Sequence, residues 1–90
     1  NDSTKLVDGG IEAQTHQVME NLLEVLDAAG SSLEKVIFAR VYLVNFGDFD
    51  KMNKVYASYF EKDKLPARTC IGVTGLAVGA SVEIDFIASC

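Results

Sequence analysis

The sequence predicts an α+β fold in which two helices cover one face of a short sheet. Three observations carry this: an apolar stripe of helical period from Ile11 to Ala29, a run dense in β-branched and aromatic residues from Val36 to Asn45, and two further alternating runs that close the chain. Ninety residues are expected to make one domain, residues 1–90, with a core small enough that self-association would help stabilise it.

The opening "NDSTKLVDGG" is polar turn material around a short "KLV", which reads as the end of a strand. From Ile11 the apolar residues fall at 11, 18, 22, 25, 26 and 29, and Gly30 supplies the left-handed stop just past a helix. "SSLEK" turns the chain into the strand Val36–Asn45. "FGD" breaks that strand, and Asp48 is placed to cap a second helix reaching about Phe60, with Phe49, Met52, Val55, Tyr56, Tyr59 and Phe60 on one side. A polar loop with the single proline, Pro66, leads into the strand "RTCIGVTG"; "LAVGA" turns, and "SVEIDFIAS" is the last strand.

Strand alternation sorts these side chains into faces. Ile37, Ala39, Val41 and Leu43 oppose Val36, Phe38, Arg40, Tyr42 and Val44; Arg68 and Cys70 oppose Thr69 and Ile71; Val82, Ile84 and Phe86 oppose Glu83, Asp85 and Ile87. Two helices cover one face of such a sheet. The other face, half apolar with a few charges, calls for a partner, and a second copy of the chain is the economical one.

Charge and composition exclude several classes. A net charge of −5 argues against electrostatic nucleic-acid binding, which needs clustered Lys and Arg. It leaves room for a small anionic ligand, which needs one well-placed cation. No apolar run has the length of a membrane span, and no leader pattern opens the chain. Cys70 and Cys90 lack a metal-ligand spacing and are too few for a disulfide framework, so they read as free thiols in a reducing compartment; no metal and no cofactor are expected.

The stretches "FDKMNKVYASYF", "PARTCIGVTGL" and "VEIDFIA" resemble the RidA/YjgF family of enamine/imine deaminases, in which N-x-x-Y-x-x-x-F is followed by P-x-R-[ST] and then by V/I-E-I-x-x-I-A. The resemblance runs from "LVDGG" to the C-terminus. It implies a chorismate-mutase-like (YjgF-type) sheet with two helices on one face, and a homotrimer whose sheets form a central barrel with active sites in the clefts between subunits. Relatives of this kind begin with two further strands, so residues 1–90 are expected to form a domain lacking them. Ala77 and Phe38 stand where the family usually has proline and lysine.

The same resemblance implies hydrolysis of 2-iminobutanoate or 2-iminopropanoate to the 2-keto acid and ammonia, in the cytoplasm or in mitochondria. It assigns Arg68 to the substrate carboxylate and Glu83 to the hydrolytic water, with Asn53 and the backbone of Cys70 bordering the substrate. The chemistry of these groups agrees. Guanidinium matches carboxylate with two parallel hydrogen bonds. An imine carbon is already electrophilic, so a positioned water and a carboxylate that takes and returns a proton suffice.

Against this stand plainer readings: a structural ion pair of Arg68 with Glu83 or Asp85, an edge-strand acid at Glu83, and a solvent-facing amide at Asn53. His16, early in the first helix, reads as surface or boundary; Tyr56 and Tyr59 read as core. The alternative to an enzyme is a non-catalytic trimeric module of the same fold that binds keto acids or a protein. RNA cleavage is disfavoured by the acidic charge and the lack of a basic patch.

Overall fold

The computed structural model describes residues 9–89; the "KLV" stub and Cys90 lie outside them. Helix α1 spans Gly10–Ala28, strand β1 Val36–Leu43, helix α2 Phe49–Ser58, strand β2 Ala67–Gly72 and strand β3 Val82–Ala88. Strand β1 is central. It pairs parallel with β2, across the α2 crossover, and antiparallel with β3. Both helices lie on one face, as the pattern requires.

Helix α1 turns its core side through Ile11, Thr15, Met19 and Leu26, spacings of four, four and seven that hold one face at 3.6 residues per turn. The expected stripe is therefore rotated. Val25, counted within it, is exposed, while the polar Thr15 is fully buried. Thr15 is tolerated because its hydroxyl donates to the Ile11 carbonyl at 2.7 Å. The helix ends as the glycine foretells. Gly30 adopts φ 74°, and the Ser31 and Gly30 amides donate to the carbonyls of Leu26 and Asp27, the double bond of a Schellman stop.

Helix α2 begins after Asp48, but the Asp48 side chain makes no capping bond. The polar contact sits one turn earlier, where Asn45 Oδ1 accepts from the Gly47 amide and tightens the 3₁₀ turn that ends β1. That turn ends β1 at Leu43, short of Asn45. Met52, Val55 and Tyr56 are buried. Tyr59 packs at the edge of the core: half-buried, it carries its hydroxyl to the surface, where it donates to Glu20 at 2.8 Å and lies 2.9 Å from His16 Nδ1. This tie between helices pushes the Tyr59 hydroxyl up to about 12, through burial first and then through Glu20.

The core is a single cluster. Ile11 and Met19 of α1 and Met52 and Tyr56 of α2 pack on Ala39, Val41 and Leu43 of β1 and on Val82 and Ile84 of β3. Each such aliphatic side chain contributes about 1.5–3 kcal/mol by leaving water. Ile37 departs from its expected face. A register irregularity between Val36 and Phe38, against β3, shifts the alternation by one, so Val36 is buried and Ile37 is 59% exposed.

Candidate anion-binding site

The site is built where α2 crosses β2. Phe49, Asn53 and Tyr56 fall at i, i+4 and i+7, so they share one side of α2. On β2, Arg68 stands in register with Ala39, and Cys70 with Val41, both fully buried members of the core row. Arg68 and Cys70 therefore point toward the helices, and Thr69 and Ile71 point away.

Arg68 is half-buried against α2. Its Nη1 donates to Asn53 Oδ1. The guanidinium carbon lies 5.0 Å from the centre of the Tyr56 ring and 5.4 Å from that of Phe49, within cation–π range of both. Phe46 stacks on Phe49 with ring centres 5.6 Å apart. Beside the guanidinium opens a cavity of about 300 Å³ lined by Asn53, Tyr56, Ala57, Leu65, Pro66 and Arg68. Its walls are mostly apolar, with one cation and one amide, a composition suited to a small organic anion.

No carboxylate neutralises Arg68 among the described residues. Their ion pairs are Arg40–Asp85 and Lys64–Glu61. The plain reading of Arg68 as half of an ion pair with Glu83 or Asp85 is thereby removed. Asn53, expected to border the substrate, lines the cavity and also binds the arginine. Burial raises the Cys70 thiol above its ordinary value, and Arg68 only partly opposes this, so the sulfur stays protonated near neutral pH. Cys70 shares the helix-facing side of β2 with Arg68 but is not in the lining of this cavity, and its protonated sulfur makes a poor nucleophile.

Glu83 is elsewhere. It is paired with Tyr42, which is paired with Ile71, and these rows lie on the face that carries no helix. There Glu83 is exposed, as is Ile71, with the Arg40–Asp85 pair next along the strands. Arg68 and Glu83, both assigned to the site, do not meet within one chain: they occupy opposite faces, with β1 between their strands. The parity of each strand was readable, but the phase between strands is set by register, which the sequence does not display.

Two residues of the site escaped the sequence reading. From the sequence, Phe49 and Tyr56 are only members of the apolar side of α2. The signal that could have found them is their shared side of α2 with Asn53. The Tyr56 hydroxyl is itself buried and has no hydrogen-bond partner among the described residues.

Comparison with known proteins bears on this arrangement. The family described as Endoribonuclease L-PSP matches residues 1–90. A RutC family protein of Pyrococcus horikoshii is 48% identical over 93% of this chain and 66% of its own length. Protein HMF1 of Saccharomyces cerevisiae is 40% identical over 94% of the chain and 65% of its own. The chain thus spans about two thirds of the length of the curated relatives it matches. Among solved structures, the Rid family protein YyfA of Yersinia pestis superposes with a TM-score of 0.91 at 37% identity, covering 96% of this chain and 68% of that one. TdcF of E. coli, solved with bound serine, gives 0.84 at 28% identity, covering 91% and 66%.

Proposed function

We propose, since this chain belongs to the RidA/YjgF family described as Endoribonuclease L-PSP, that it holds a small 2-imino acid by its carboxylate at Arg68 and hydrolyses it to the 2-keto acid and ammonia. The observation that carries this reading is a half-buried guanidinium that has no counter-charge among the described residues, beside a cavity of about 300 Å³. A buried cation left open in this way is stabilised by an anion from solution, and a planar carboxylate fits it with two parallel bonds. The bound serine of TdcF, an α-amino carboxylate, supports the same ligand class.

With 2-iminobutanoate or 2-iminopropanoate as substrate, Arg68 fixes the carboxylate and so places C2. A water adds to C2 of the imine, protonated on nitrogen, as Glu83 takes its proton, giving a carbinolamine. Glu83 returns that proton to the nitrogen; the C–N bond breaks as the hydroxyl oxygen forms the C=O and gives its own proton to Glu83, and ammonia leaves with the keto acid behind. Glu83 must then come from a second copy, because in its own chain it faces away from Arg68. A homotrimer supplies that copy and covers the open face, where Ile71 and Ile87 are 45% and 47% exposed.

The test couples an amino-acid oxidase, which releases imine, to measurement of keto acid. Wild-type protein should exceed spontaneous hydrolysis severalfold or more, and Arg68→Ala should abolish the excess. Equal rates for wild type, Arg68→Ala and buffer would dismiss the enzyme. A second reading has one observation in its favour, the exposure of Glu83 far from Arg68: a module that binds keto acids without turnover. It would show 2-oxobutanoate binding that depends on Arg68 and no acceleration of hydrolysis.

A further inference from the structure

We propose that Phe49, Asn53 and Tyr56 are positioning residues that hold the Arg68 guanidinium in place while leaving its charge to the incoming carboxylate, a role that rests on the anion-binding reading above. All three contacts come from one side of α2, and all three partners are neutral: an amide oxygen and two aromatic rings. A guanidinium presents five N–H donors. Asn53 accepts one of them, and ring faces attract the cation without consuming donors directed in its plane. Enough remain for a bidentate carboxylate.

The neutrality of the holders matters. A carboxylate at position 53 would fix Arg68 equally well and compete with the ligand for its charge. A long flexible arginine with no holder would lose rotamer freedom when it binds, and affinity would fall by that cost. The arrangement found here meets both demands. It also gives Tyr56 a reason to be aromatic that its hydroxyl, without a partner among the described residues, does not supply.

The experiment uses the full-length protein and 2-oxobutanoate as the probe, with titrated binding, steady-state kinetics and the Arg68 side-chain N–H signals in nitrogen-resolved NMR of the free protein. Phe49→Leu should weaken 2-oxobutanoate roughly tenfold and act on KM more than on kcat. It should also remove a ring-current shift from the Arg68 signals. Asn53→Asp should weaken binding more than Phe49→Leu does. Tyr56→Phe should restore the affinity that Tyr56→Leu loses. Tyr56 is a core residue, so the leucine variant could fail to fold; Phe49 and Asn53 are only half-buried and keep the test decisive. Wild type that binds while Phe49→Leu and Asn53→Asp bind within about twofold of it, with Arg68 signals unmoved, overturns this role alone. Wild type that ignores 2-oxobutanoate overturns the carboxylate reading and this role with it.

Discussion

Arg40 and Arg68 stand on adjacent strands of one sheet, in register with Thr69 and Ala39 respectively, and point to opposite faces. Arg40 lies on the open face, where its Nε meets Asp85 Oδ1 at 2.8 Å across the β1–β3 pair, with both side chains about half exposed. The Asp85 hydrogen bond and charge raise the Arg40 pKa further, so the pair is self-sufficient. Arg68 lies on the helix face, half-buried and held by an amide and two rings that leave its charge unanswered. Position in the sheet alone does not make an arginine functional. The identity of its nearest acceptors does: a carboxylate consumes the charge, and an amide or a ring directs it.

The two faces of the sheet differ as wholes in the same way, and mutations on each should act differently. The largest effect is expected at Glu83. Glu83→Gln should lower kcat by about 10²–10⁴-fold while 2-oxobutanoate affinity, set on the other face, changes little. A loss of affinity matching that of Arg68→Ala would place both groups in one role. Next in size is the packing contrast. Leu43→Ala, beneath the helices, should cost about 2–5 kcal/mol in urea unfolding. Ile71→Ala and Ile87→Ala should stay within about 1 kcal/mol for a single chain and instead weaken association in sedimentation. Equal destabilisation from both faces, with no change in assembly, would refute the need for a partner.

A smaller effect concerns the turn that links the two edge strands. Val78 holds φ 51°, a left-handed conformation that a β-branched side chain adopts at a cost. Val78→Gly should raise stability by up to about 1 kcal/mol; a decrease would mean that the exposed valine is gripped by something outside this chain. The smallest effect belongs to the helix–helix tie. The Tyr59 hydroxyl, with its pKa raised to about 12, should ionise late in an ultraviolet titration. A raised folded value means that its contribution is complete below the tyrosine's unfolded value of about 10 and is lost as pH climbs through 12. Tyr59→Phe should remove that alkaline limb.

Much of this was legible beforehand, and the part that was not has a common cause. The α2 face, the core parity of Ala39–Leu43 and of Val82–Phe86, and the shared face of Arg68 and Cys70 all follow from local periodicity. The failures involve pairing between segments. Ile37 is turned outward by an irregularity against β3. Glu83 is separated from Arg68 because β1, earlier in the chain, is inserted between β2 and β3. The residue types at the site were readable; the partners of Arg68 were not, because Phe49 and Tyr56 look like any core aromatics until β2 is docked beneath them.

The central claim is that Arg68 and Glu83 act together across a boundary between copies. It is tested most directly by mixing protomers. Arg68→Ala and Glu83→Gln proteins, each inactive alone, are unfolded together and refolded in equal amounts. If one copy supplies the guanidinium and its neighbour in a closed ring the carboxylate, random assembly should return about a quarter of wild-type activity. If the two groups serve one chain, every protomer remains defective, and the mixture should stay as inactive as its parents.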